Sequence, residues 1–193
     1  MKRITVFCGA SEGNDEKYIR QAEIAGSYLA SCGYEIVFGG GKIGIMGAVA
    51  NAALKAGGIV TGVIPSFLKT KEVAHDKLTF MHTVENMHER KLLMHELGDA
   101  VLALPGGYGT LEELFEMLTW AQLGLHKKPI GLLNTGGYYN HLIQFIHHMY
   151  QEGFINETNR DMILIHENHE ILLSMMERYV APDVPQWIQR EDV

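Results

Sequence analysis

Short apolar runs alternate along the chain with segments whose apolar positions recur at helical spacing, the pattern of buried strands feeding amphipathic helices. Ile4–Cys8 is a β-branched and aromatic strand, ended by Gly9 and the polar loop Ala10–Asn14. From Asp15, a cap residue, Tyr18, Ala22, Ala25 and Leu29 trace a helix that Gly33 stops. Glu35–Phe38 is the next strand, followed by a glycine turn, a small-residue helix over Ala48–Ala56 and a strand over Ile59–Ile64. Residues 65–84 lack clear periodicity: Leu78–Met81 makes a minor strand and the rest a loop over the ligand side, with His75 and His82 as surface histidines. Asn86 and Glu89 form a capping arrangement for a helix through Met94. Strands then follow at Ala100–Leu104, Pro129–Asn134 and Met162–Ile165, and helices from Leu111, over Tyr138–Tyr150 and over Ile171–Tyr179.

This alternation predicts an α/β fold: a doubly wound, mostly parallel sheet with helices on both faces, of the Rossmann-like nucleotide-binding kind. One domain covers residues 1–180, and residues 181–193 form a polar tail in which Trp187 and Ile188 offer an anchor. Ligands of such sheets bind at the carboxyl ends of the strands. The loops 9–14, 39–44 and 105–110 all follow strands and should converge there, which makes Gly9, Ser11, Gly40 and Gly41 candidate substrate contacts.

The stretch Pro105-Gly106-Gly107-Tyr108-Gly109-Thr110-Leu111-Glu112-Glu113 joins a strand to a helix. Its glycines let backbone N–H groups approach an anion, and the positive end of the helix dipole points into the turn. A phosphate is the expected ligand, with Thr110 as cap and hydroxyl donor. Glu112 and Glu113, placed in the first turn with Glu116 beyond, either complement the dipole or face a sugar carbon or a water. The turn Gly39–Gly44 has dinucleotide-type spacing, but Pro65-Ser66 stands where an acidic ribose ligand belongs, and Gly41-Lys42-Ile43 is no P-loop ending. It reads as a mononucleotide-type turn or as glycines for close helix packing. Arg90 and Lys91 lie early in their helix, opposing its dipole, and so either meet something anionic or form a solvated pair with Glu85 and Glu89. In the helix from Leu111, the extra stripe Met117 and Trp120 is covered by a partner subunit or by another helix of the same chain.

Composition narrows the classes. A net charge of −7 over 193 residues argues against nucleic acid as the main partner. No apolar run approaches the roughly 20 residues that span a bilayer, and Met1-Lys2-Arg3 runs straight into a strand, so a cytoplasmic location is expected. Cys8 and Cys32 suit buried thiols, and no histidine pair has zinc-ligand spacing.

Met87-His88-Glu89-Arg90-Lys91 followed by the Pro105–Glu113 signature, Glu113-Leu114-Phe115-Glu116 and Thr119-Trp120-Ala121-Gln122-Leu123-Gly124 resembles the LOG (Lonely Guy) family, often labelled lysine decarboxylase-like. The resemblance runs from the first strand to about Tyr179 and implies a cytokinin riboside 5′-monophosphate phosphoribohydrolase. It implies Arg90 and Glu113 as catalytic residues, with Lys91, Gly106, Gly107, Tyr108, Gly109, Thr110, Leu111, Glu112 and Thr119 contacting substrate and Glu72 as a further contact. It implies no cofactor and no metal, an AMP or N6-modified AMP substrate, and a homodimer or an assembly of dimers. Release of a base from ribose 5-phosphate passes through an oxocarbenium-like state that Glu113 can stabilise while orienting water. A decarboxylase would need a Schiff-base lysine or another electron sink, whereas a sensor or carrier on the same fold would bind nucleotide without turnover.

Overall fold

The computed structural model describes residues 1–69 and 73–183. Its strands are β1 (Arg3–Phe7), β2 (Glu35–Phe38), β3 (Val60–Pro65), β4 (Phe80–Val84), β5 (Ala100–Ala103), β6 (Ile130–Leu133) and β7 (Ile163–His166). The helices are α1 (Lys17–Ser31), α2 (Gly44–Lys55), α3 (Ser66–Lys69), α4 (Met87–Leu97), α5 (Tyr108–Gln122), α6 (Asn140–Gln151), α7 (Glu157–Arg160) and α8 (His169–Glu177), with a 3-10 turn, Thr135–Gly137, before α6.

All neighbouring strands pair in parallel, in the order β4-β3-β2-β1-β5-β6-β7. The chain winds outward from β1 in one direction and then returns to add β5 on its other side. Side chains alternate across the pleat: Ile4, Val6, Ile36 and Phe38 join the core under α1, α2 and α8, while Phe7, Val37, Val101 and Ala103 join the core under α4, α5 and α6. Both faces are covered, which is why the central strands read as continuous apolar runs.

Where the structure departs from the pattern, the cause is local. β4 is a full edge strand two to three residues further on than Leu78–Met81. Its side chains are only partly covered, so it carries no apolar alternation to read. α3 and α7 are single turns, too short for a period. α2 and α5 begin at Gly44 and Tyr108, earlier than the apolar period suggests, because glycine-rich first turns contribute nothing to it. α1 begins at Lys17, whose N–H bonds the Asp15 carboxylate at 2.9 Å. The expected arrangement at α4 is present: Asn86 Oδ1 accepts the Glu89 N–H at 3.0 Å, and Glu89 Oε2 accepts the Glu85 N–H at 2.9 Å.

One open alternative is decided, and two other expectations need correction. Met117 is 1% exposed and packs with Leu114 and Ala121 in the core of its own chain, and Trp120 sits edge-on to His95 with ring centroids 5.0 Å apart. Met117 is thus covered within its own chain, while Trp120 stays partly exposed. His75 is buried rather than superficial: its Nε2 pairs with Asn51 Oδ1 at 3.0 Å, and its Nδ1 accepts the Lys77 N–H at 3.2 Å. Cys8 is buried, but Cys32 is exposed at the end of α1. Trp187 and Ile188 lie outside the described residues.

Candidate active site

The direction of winding reverses between β1 and β5, and a crevice of about 470 Å³ opens at their carboxyl ends, within the usual size range of small-molecule sites. The two loops that form it are tied together, Gly9 N–H donating to Pro105 O at 3.0 Å. A Cβ on Gly106 would stand 2.1 Å from Thr110 Oγ1 and 2.8 Å from Gly9 N, so only glycine lets the loops meet there. Gly107 and Gly109 face open space instead. Gly107 is the N-cap of α5 and no side chain caps the helix, so the first-turn N–H groups of Tyr108, Gly109 and Thr110 have no intrahelical partner. Oriented amides at a helix N-terminus, unobstructed by side chains, make a site for an anion.

Thr110 is not the cap expected of it; it lies inside the first turn, buried, with its hydroxyl against Gly106. Because the helix starts three residues earlier than expected, Glu112 and Glu113 fall in the second turn and the first holds no acidic residue. No carboxylate therefore competes for the amides, and Glu112 and Glu113 line the crevice one turn deeper.

The other glycine turn is arranged differently. The α2 amides of Ile45 and Met46 donate to Ser11 O at 3.4 Å and Gly9 O at 3.1 Å, so the loop after β1 occupies the terminus where a phosphate would sit. Gly40 and Gly41 lie behind the crevice: Gly40 O accepts the His75 N–H at 2.8 Å, and Gly41 bridges to Ala74. The convergence of loops thus holds for 9–14 and 105–110, while the turn after β2 reaches the crevice only through Ile45 and Met46.

Arg90 and Glu113 face each other electrostatically across the crevice. Arg90 is 8% exposed, with Nε donating to Val63 O at 3.1 Å and Nη2 to Gly39 O at 2.8 Å. Burial lowers its pKa, opposed by the Glu113 carboxylate. Among the described residues Glu113 makes no hydrogen bond or ion pair, and burial pushes its pKa up to about 7 against the pull of the Arg90 guanidinium. A carboxylate left without partners in a half-enclosed, positively edged crevice is poised to serve a ligand.

Lys91 turns the other way. Its Nζ reaches Glu112 Oε1 at 2.5 Å and Glu116 Oε1 at 2.9 Å, strapping α4 to α5. Burial draws its pKa down, and its hydrogen bonds to the Glu112 and Glu116 carboxylates more than offset that, leaving it raised. The early cations of α4 therefore do meet acceptors: backbone carbonyls for Arg90, carboxylates for Lys91.

Of the residues singled out from the sequence, the crevice gathers Gly9, Ser11, Arg90, Gly106, Gly107, Gly109, Thr110, Glu112 and Glu113. Tyr108 is 94% exposed and offers its amide, not its ring. Leu111 packs on the core, Lys91 is engaged as above, and Thr119 is exposed with its hydroxyl on Phe115 O at 2.7 Å. Glu72 lies outside the described residues. The sequence reading missed Tyr18 and Tyr138, which pack edge to face at 5.5 Å along one wall. Tyr138 donates to Gly106 O at 2.6 Å; its position just past a strand's carboxyl end was the available signal.

An all-parallel doubly wound sheet, with an uncapped helix N-terminus beside an arginine and an unpaired glutamate at its switch point, defines a Rossmann-like α/β protein whose crevice suits an anionic ligand. The family described as "Possible lysine decarboxylase" matches residues 46–176. A cytokinin riboside 5′-monophosphate phosphoribohydrolase of Rhodococcoides fascians is 52% identical over 165 residues, 85% of this chain and 83% of that protein. The Arabidopsis thaliana phosphoribohydrolase LOG1 is 47% identical over 179 residues, 93% of this chain and 84% of its own. The chain belongs to this LOG family. Among solved structures, a molybdenum cofactor binding protein of Rippkaea orientalis superposes with a TM-score of 0.69 at 21% identity, over 92% of this chain and 96% of that one. The Moco carrier protein of Chlamydomonas reinhardtii also gives 0.69, at 19% identity and with the same coverage; both share the fold.

Proposed function

We propose that the protein hydrolyses the N-glycosidic bond of a nucleoside 5′-monophosphate, of the cytokinin type or AMP itself, releasing the free base and ribose 5-phosphate. The observation that carries this reading is the partnerless Glu113 carboxylate, one helical turn from the open N-terminus of α5 and opposite Arg90. The 5′-phosphate binds the amides of Tyr108, Gly109 and Thr110, which fixes the ribose by one end and presents C1′ to Glu113. As the bond to the base stretches, positive charge grows at C1′ and the ionised carboxylate stabilises it while orienting the attacking water. Arg90, charged and held from behind by two carbonyls, balances Glu113 and meets electron density on the departing base. Neither the phosphate site nor the carboxylate calls for a cofactor in this scheme. No lysine lines the crevice among the described residues, so they give a Schiff-base decarboxylation no support.

We further propose a homodimer or an assembly of dimers. The groove of about 570 Å³ between α4 and α5, where Leu92, Trp120 and Leu125 show, supports it in place of the Met117 stripe. The function is tested by incubating the protein with a panel of nucleoside 5′-monophosphates and separating free base by chromatography. Saturable binding without base release would sink the hydrolase reading and favour a carrier.

A further inference from the structure

The glycine at position 39 is explained neither by its backbone nor by a ligand. Its φ is outside the left-handed region, unlike that of Gly40 at +72°, and it does not line the crevice. What an added side chain would meet there is Arg90: a Cβ would stand 1.9 Å from Nη2 and 3.1 Å from Cζ, with Met46 Sδ next at 3.3 Å. The guanidinium lies against this residue because its Nη2 bonds the Gly39 carbonyl while its Nε bonds the Val63 carbonyl, on the adjacent strand. Those two acceptors, at the carboxyl ends of β2 and β3, fix the fork in one orientation, and the remaining Nη1 lies 3.8 Å from Met87 Sδ at the crevice wall. A methyl group at position 39 cannot coexist with Nη2 where it now lies, so the end of the Arg90 side chain has to move from its seat.

We infer that Gly39 is a positioning residue for Arg90: its missing side chain is the seat on which the guanidinium rests while it faces Glu113. The inference rests on the proposed function only for its kinetic consequence, because the seating itself is a property of the folded chain.

The test compares wild type, Gly39→Ala, Arg90→Ala and the double variant in turnover of a nucleoside 5′-monophosphate, and follows exchange of the Arg90 Nε–H by side-chain NMR. In wild type the Nε–H, bonded to a buried carbonyl, is protected; in Gly39→Ala that protection is lost. Turnover in Gly39→Ala falls by ~100-fold, the scale of an ångström-sized misplacement of a catalytic group. The acid limb of the kcat profile moves to higher pH, because the guanidinium no longer offsets the raised Glu113 pKa. In the Arg90→Ala background the same change costs less than about twofold, since the group it acts through is gone. A fully additive double variant, or an Arg90 Nε–H that stays protected in Gly39→Ala, overturns the inference. Should Gly39→Ala fail to fold, the double variant, free of the clash, is expected to fold; an equally unfolded double variant overturns it too. Absence of base release by wild type counts against the proposed function alone and leaves the NMR comparison to decide the seating.

Discussion

Glu113→Gln is expected to make the protein more stable and nearly inactive, and the two effects have one origin. Burial lifts the Glu113 pKa from an ordinary 4.5 to about 7, with Arg90 only partly offsetting it. A carboxyl whose pKa is raised by folding binds its proton more tightly in the native state. The contribution of Glu113 to stability is therefore fully present below pH 4.5, falls as pH rises toward 7, and levels off above it. At about 1.4 kcal/mol per unit, the full penalty in the ionised state is about 3 kcal/mol. Glutamine keeps the shape and never ionises. The variant should match wild type at pH 4 and exceed it by roughly 2–3 kcal/mol at pH 8, a rise in Tm of roughly 4–12 °C for a chain of this length. Turnover should fall by about two or more orders of magnitude, and wild-type turnover should rise through an acid limb near the Glu113 pKa of about 7. Thermal melts at both pH values, read beside kcat, check this. Equal melting temperatures at pH 8, or a variant less stable than wild type, would refute the burial argument; a fully active variant would mean that another carboxylate does the chemistry.

The remaining predictions concern the other parts of the site. A nucleoside without its 5′-phosphate should be a poor substrate, because binding energy at the α5 amides positions C1′; comparable kcat/KM for adenosine and AMP would contradict this. Lys91→Met should destabilise by about 1–2 kcal/mol by leaving Glu112 and Glu116 facing each other without their cation, the half-exposed Glu112 limiting the loss. Denaturant melts measure it, and an unchanged midpoint would show that the strap contributes nothing. Light scattering at micromolar concentration should report a dimer or a multiple of one, and a monomer alone would speak against the α4–α5 groove as the contact.

Much of this was legible because long, buried elements leave strong patterns. The central strands β1, β2 and β5, buried on both faces, could be placed within a residue or so, and their carboxyl ends pointed to the crevice before any coordinates. Edge strand β4 and the glycine-opened starts of α2 and α5 were not, because glycine and exposed positions carry no period. In the site, the Pro105–Glu113 signature announced the open helix terminus. What spacing does not encode is who meets whom across the sheet. That Gly9 and Ser11 fill the second helix terminus, that Gly39 faces Arg90, and that Lys91 belongs to Glu112 and Glu116 are contacts between residues 21 to 51 or so positions apart. The covering of Met117 stayed open for the same reason: a helix stripe says that something covers it, not what.

The open first turn of α5 has a consequence for what happens after the bond breaks. In the proposed reaction its uncapped amides hold the phosphate, and the phosphate stays with the sugar, so the grip that positions the substrate would persist on one of the two products. The base would then leave first, and ribose 5-phosphate would remain until the turn lets go. Ribose 5-phosphate should then inhibit competitively against the nucleotide, whereas free base should inhibit without competing, and the off-rate of the sugar phosphate becomes the ceiling on turnover.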